Sequence, residues 1–159
     1  MCHCHVLTTL YPAIAMRIVI TTPVRQSIQQ VWNGFTVDLF KQLSPPFPPV
    51  KVLRFEGSLT GNEVAIELNF GVFSQQWISK ITSHHIGVDE IYFVDEGTQL
   101  PFFLRYWHHK HRLVNRQGTC VIIDEITFRT PSGLTDLIFY PILYAQFLYR
   151  KPIYRKIFS

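Results

Sequence analysis

From Val50 to Arg129 the chain alternates with a period of two and is interrupted only by short turns, a pattern that leads to an antiparallel sheet. Six strands read out of it: Val50 to Glu56, Asn62 to Phe70, Phe73 to Ser83, Asp89 to Glu96, Phe103 to Val114 and Thr119 to Arg129. The second is the cleanest, with Val64, Ile66, Leu68 and Phe70 on one face and Glu63, Ala65, Glu67 and Asn69 on the other. Hairpin-length connections such as Asn115 to Gly118 make neighbouring strands run in opposite directions. A sheet of this size twists, and its apolar face has to be covered.

The last stretch of the chain supplies the cover. Thr130-Pro131-Ser132-Gly133 ends a strand and offers Thr130 or Ser132 as a helix cap. Leu134, Leu137, Ile138, Pro141, Ala145, Leu148, Pro152 and Ile153 then recur at three- and four-residue steps, which predicts a helix from Ser132 to Phe158 with that stripe toward the sheet. Such a helix is roughly 40 Å long at about 1.5 Å per residue. Pro141 and Pro152 each remove an amide donor, so one or two bends are expected. A bent helix over a concave sheet leaves a gap beneath it.

Upstream, Met16 opens a strand carried by Arg17 to Thr21. Thr22-Pro23 is expected to begin a helix, with Val24, Ile28, Val31, Trp32 and Phe35 on its apolar face. A second short helix is expected from Val37 to Leu43, before the extended linker Pro45-Pro46-Phe47-Pro48-Pro49. The expected class is therefore α+β: a seven-stranded curved antiparallel sheet wrapped around a long C-terminal helix, with two short helices after the first strand. Residues 16–159 make one domain. Residues 1–15 read as an N-terminal extension that is expected to be poorly ordered. Its Cys2-His3-Cys4-His5 run cannot easily wrap one tetrahedral ion, so no metal site is expected there.

Composition narrows the function. Charged residues are only 16% and aromatics reach 14%, with thirteen Phe among 159 residues. That ring surface fits a roomy apolar interior or an apolar mouth as well as an aromatic-rich core. The net charge of +4 owes much to Arg150, Lys151, Arg155 and Lys156. Cations at a helix C-terminus are favoured by the helix dipole; a weak membrane-surface contact through this tail is the sharper alternative. No nucleic-acid motif accompanies them, and no obligate protein partner is implied. Three cysteines without framework spacing point to a reducing, cytoplasmic setting. No phosphate loop, dinucleotide fingerprint or nucleophile elbow is present, and no cofactor is expected.

One polar constellation interrupts this apolar pattern. Arg105, Trp107, His109, His111 and Leu113 alternate onto one face of a strand. In the next strand Cys120, Ile122, Asp124, Ile126 and Phe128 share a face with a single carboxylate. If both faces line the interior, His109 or His111 meets Asp124, and pairing is the simplest way to keep that charge buried. Four roles are open to the group: a tether between strands, a polar handle for a ligand, a general base, or part of a zinc site. The simple tether leads. For zinc, no third strong ligand is fixed by spacing.

The element order resembles the START-like, or SRPBCC, superfamily, which shares a helix-grip fold with the birch-pollen allergen. The resemblance covers Met16 to Phe158 and is carried by Trp32, Phe35, Leu43-Ser44-Pro45-Pro46-Phe47, Gly57 and Gly61. Pro101-Phe102, then Trp107, His109 and His111 are the most telling, with Gly118-Thr119, Asp124, Phe128, Pro131 and Gly133 completing the set. More specifically, the chain is similar to small bacterial SRPBCC proteins of ligand-binding or cyclase-like type. The resemblance implies a hydrophobic cavity between sheet and helix that takes a small hydrophobic or amphipathic molecule. Trp77, Phe93, Arg105, Trp107, His109, His111, Asp124, Leu137, Pro141 and Tyr144 are the candidate wall. It does not imply a reaction. A non-catalytic binding module is expected ahead of a polyketide cyclase/aromatase-like or hydratase-like enzyme using His109, His111 and Asp124.

Overall fold

The computed structural model describes residues 15–159, so the Cys2-His3-Cys4-His5 run and nearly all of the expected extension lie outside the described residues. Seven strands form one antiparallel sheet: β1 (Met16–Val24), β2 (Val50–Phe55), β3 (Glu63–Asn69), β4 (Ser74–Ile86), β5 (Glu90–Gln99), β6 (Tyr106–Arg116) and β7 (Thr119–Arg129). Their spatial order is β1-β7-β6-β5-β4-β3-β2. From β2 onward every strand pairs with the next in sequence, as short hairpin connections require. The tightest turn joins β6 to β7, where Gln117 and Gly118 both take positive φ (53° and 88°), the pair of conformations that matches strand twist. Only β1 departs from sequence order by docking beside β7, which puts β1 and β2 at opposite edges. The connection between them crosses the sheet and carries α1 (Ile28–Asn33) and α2 (Val37–Gln42).

The expected helix start at Thr22-Pro23 is displaced. β1 continues to Val24, with Thr22 fully buried opposite Ile122 and Pro23 opposite Val121. An edge strand tolerates proline because one side of it has no partner to receive an amide. The cap is Ser27 instead, in a reciprocal pair with Gln30 that satisfies two free donors at once. Thr36 caps α2 by accepting from the Leu39 amide, without a reciprocal bond.

The long C-terminal helix is present as two consecutive segments, α3 (Gly133–Leu148) and α4 (Arg150–Ile157). Ser132 caps α3 with Thr135 in a second reciprocal pair. The segments meet at Tyr149, which keeps right-handed helical angles. Pro152 accounts for the interruption: it has no N–H to give the carbonyl of Leu148, and its ring crowds that turn. Pro141, by contrast, lies within α3 without ending it.

The face of α3 that meets the sheet is not the one its spacing suggested. Asp136, Leu143 and Phe147 are buried, whereas Leu134, Leu137 and Ile138 are 70%, 65% and 52% exposed, and Pro141, Ala145 and Leu148 are exposed with them. α3 is apolar around most of its circumference, so several stripes can be drawn on it. The larger rings Phe139 and Phe147 won the inner side because a concave sheet has room for them; Phe147 packs with Trp107 and Leu143.

Two apolar clusters tie these layers together. Val31, Leu39, Ile91, Leu113, Ile122, Tyr154 and Phe158 join α1, α2 and α4 to β5–β7, and the Phe158 carbonyl accepts from the amides of Arg25 and Gln26. Ile18, Ile20, Trp107, Ile126, Phe128, Leu143 and Phe147 join α3 to β1, β6 and β7. Each such fully buried side chain contributes about 1.5–3 kcal/mol relative to exposure. The β2–β4 side has no equivalent filling. Register shifts at Val52/Arg54 in β2, at Thr82 in β4 and at Thr98 in β5 bend that half of the sheet. Gly97 in β5 gives room to Leu100 and Trp107, where a Cβ would collide with the leucine. Among the described residues no helix is long and apolar enough to cross a membrane.

Candidate functional site

A cavity of about 350 Å³ occupies the concave side under β2–β6, between the sheet, α2, the proline-rich linker and α3. Its wall follows from period two. Val64, Ile66 and Leu68 of β3, Trp77, Ser79 and Ile81 of β4, and Phe93 and Asp95 of β5 are alternate residues that all point inward. Phe47, Phe102 and Ile142 line the same space yet are 66%, 51% and 46% exposed, so the cavity reaches the surface through an apolar rim.

Of the candidate wall residues, Trp77, Phe93, Trp107, His109 and His111 line the cavity. Asp124 is fully buried behind the two imidazoles rather than on the wall. Four candidates are elsewhere. Arg105 precedes β6 in an exposed turn, where its amide donates to the Arg129 carbonyl and its guanidinium to the Leu104 carbonyl, so strand alternation does not reach it. Leu137, Pro141 and Tyr144 are on the outer side of α3, Tyr144 stacked on Tyr140. The helix rotation described above moves all three. In their place Phe139, Leu143, Gln146 and Phe147 face the cavity, and α4 adds Arg150 and Tyr154.

The polar group of the wall spans three neighbouring strands. Cross-strand pairing sets Asp95 of β5 opposite His109 and Asp124 of β7 opposite His111. His109 has Nε2 hydrogen-bonded to Asp124 Oδ1 at 3.0 Å and Nδ1 3.4 Å from Asp95 Oδ2. His111 has Nε2 3.4 Å from Asp95 Oδ2 and Nδ1 3.2 Å from Asp124 Oδ1, the latter off the line a hydrogen bond requires. Trp107 Nε1 donates to Asp95 Oδ1 at 2.9 Å, which orients that carboxylate. The ring of His111 stacks on Phe93 with centroids 4.3 Å apart, and that of His109 meets Phe147 edge-on at 5.0 Å. Two imidazoles are therefore held between two carboxylates, with apolar rings closing the flanks.

Burial opposes ionisation of both carboxyls, yet the flanking imidazoles of His109 and His111 outweigh it, and Asp95 and Asp124 are held well below the usual carboxylate range. Burial also opposes a charge on His111. The carboxylates on either side outweigh it and push the imidazole above its ordinary value. Arg150 stands over the Phe147 ring at 4.2 Å and forms no ion pair among the described residues. The wall thus carries an unpaired cation beside a charge-rich cluster, within a mostly aromatic space. Asp95, His109 and His111 also bring one ligand atom each within 4.8 Å of one another.

Sequence reasoning found His109, His111 and Asp124 but missed Asp95, Arg150 and Tyr154. Asp95 was within reach, because it alternates with Ile91 and Phe93 on a strand already assigned. Arg150 and Tyr154 depend on how α4 seats on the sheet, for which no local signal exists.

No family model matches the chain, and no curated protein matches it. Solved structures do. A protein from Arthrobacter aurescens is 15% identical with a TM-score of 0.61, over 87% of this chain and 82% of that one. Truncated norcoclaurine synthase from Thalictrum flavum is 14% identical with a TM-score of 0.60, over 85% and 89%. The Zhui aromatase/cyclase of a Streptomyces species is 12% identical with a TM-score of 0.56, over 76% and 71%. At these identities the likeness shows the fold, and the fold is the helix-grip architecture of the START-like proteins that the sequence resembles.

Proposed function

We propose that the chain binds a small amphipathic molecule, with its apolar body among the rings of the cavity and its polar end toward Asp95, His109, His111 and Arg150. The single observation that carries this is an aromatic-lined hollow of about 350 Å³ with its few polar groups gathered on one wall. That combination is what small-molecule sites share: apolar area for affinity and a small number of fixed polar atoms for orientation. The exposed rim of Phe47, Phe102 and Ile142 supplies an entry. Fold likeness to norcoclaurine synthase and an aromatase/cyclase keeps an enzyme in view. The geometry favours binding. Every ring nitrogen of His109 and His111 stands within 3.4 Å of a carboxylate oxygen, so both imidazoles are already engaged by the protein.

The test is displacement of an apolar fluorescent dye, alongside native mass spectrometry of the purified full chain. Val64→Trp projects an indole into the hollow and is expected to weaken dye binding at least tenfold while leaving the melting temperature close to that of the parent. A variant that still binds dye as well as the parent overturns the reading.

A further inference from the structure

We propose that Asp95, His109 and His111 form a site for one divalent transition-metal ion, with zinc the best fit to the donor set. The proposal goes beyond the ligand reading and stands whether or not the apolar hollow takes an organic molecule. Spacing is the first argument. Ligands about 2.1 Å from a tetrahedral ion lie about 3.4 Å from one another. Asp95 Oδ2 is 3.4 Å from His109 Nδ1 and 3.4 Å from His111 Nε2, and all three atoms fall within 4.8 Å. Two imidazoles and one carboxylate are a set that zinc and its neighbours take readily.

The surroundings make the second argument. Asp124 sits behind both rings, 3.0 Å from His109 Nε2 and 3.2 Å from His111 Nδ1, as the outer carboxylate of a carboxylate–histidine–metal arrangement does. With His109 Nε2 hydrogen-bonded to Asp124, Nδ1 is the ring atom that faces Asp95 Oδ2. A divalent ion seated between Nδ1 and Oδ2 would bind both. Trp107 Nε1 engages Asp95 Oδ1, so Oδ2 is the oxygen left for that cation. All three ligands line the cavity, which leaves the fourth position open to it.

The test uses the tag-free full chain, stripped with chelator and titrated with Co²⁺ and Zn²⁺. Cys2→Ser plus Cys4→Ser serves as the background, so that no Co²⁺ signal can come from the thiols of the Cys2-His3-Cys4-His5 run. One Co²⁺ per chain is expected, with the intense visible bands of a four- or five-coordinate site, no thiolate charge-transfer band, and displacement by Zn²⁺. Asp95→Asn keeps the shape of the side chain and its tryptophan contact; it is expected to weaken Co²⁺ at least tenfold, with near-UV circular dichroism unchanged. Asp124→Asn is expected to weaken it tenfold or more without removing the visible bands. Absence of stoichiometric binding in the Cys2→Ser/Cys4→Ser background overturns the proposal, as does an Asp95→Asn variant that binds Co²⁺ as the parent does. Should Asp95→Asn fail to fold, the Cys2→Ser/Cys4→Ser parent decides alone: weak octahedral bands overturn the site and strong bands support it.

Discussion

The three strands β5, β6 and β7 carry nearly the same arrangement on both faces of the sheet. Inside, His109 and His111 of β6 stand between Asp95 of β5 and Asp124 of β7. Outside, Arg112 of β6 stands between Glu90 of β5 and Glu125 of β7, at 2.6 Å from each. Both are a base on the central strand flanked by carboxylates from its neighbours. They differ in burial: the side chains of His109 and Asp124 are 3% and 1% exposed, those of Arg112, Glu90 and Glu125 are 30%, 34% and 21%. A charge in the inner group has no water to fall back on, so each member depends on the others. The outer group can lose a partner and be hydrated instead. The inner group is therefore the one whose composition constrains both stability and function.

The largest effect expected is from Asp124→Ala. It removes the buried carboxylate between the two imidazoles and leaves one nitrogen of each without its acidic neighbour in the interior, at a cost of about 3–5 kcal/mol, read from the denaturant midpoint. A loss below about 1 kcal/mol would make the inner group equivalent to the outer one and break the comparison. Arg112→Gln is expected to cost about 1 kcal/mol or less at low salt. The difference should vanish in about 1 M salt, where screening acts over roughly 3 Å. If the cost persists in salt, the outer group is more enclosed than its exposure implies.

The smallest effect concerns acid. Burial opposes the charge on Glu125, but Arg112 outweighs it and holds the carboxyl below its ordinary value. A carboxyl lowered by folding adds stability that is complete above its unfolded pKa, about 4.3, and is lost as pH falls through its folded value. The stability gap between the parent and Arg112→Gln is thus expected to be constant near neutrality and to close below about pH 4. Denaturant titrations at stepped pH check this, and a gap that widens in acid would reverse the assigned sign.

Strand content, strand pairing and the inward faces of β3, β6 and β7 were legible in the sequence because each depends on neighbours within a few residues. A period of two fixes which side chains share a face, and a two-residue turn fixes direction. Alternation alone puts Val64 with Ile66 on one face and Trp107, His109 and His111 on another, and these faces line the cavity, with Asp124 buried behind the two imidazoles. β1 ran past Thr22-Pro23 because pairing with β7, a partner a hundred residues away, outweighed a local helix signal.

What the chain determined by itself, then, is a curled antiparallel sheet, a C-terminal helix to cover it, and a strand with two histidines on its inner side. Tertiary structure decided the rest: which side of α3 turns inward, where α4 seats Arg150 and Tyr154, and that Asp95 and Asp124 flank the same pair of rings. The physical reason is range. Alternation and capping are settled between residues a few positions apart, whereas helix rotation and a cluster drawn from three strands are settled by packing between segments distant in sequence, where an apolar helix with several usable faces takes the one that best fits the space beneath it.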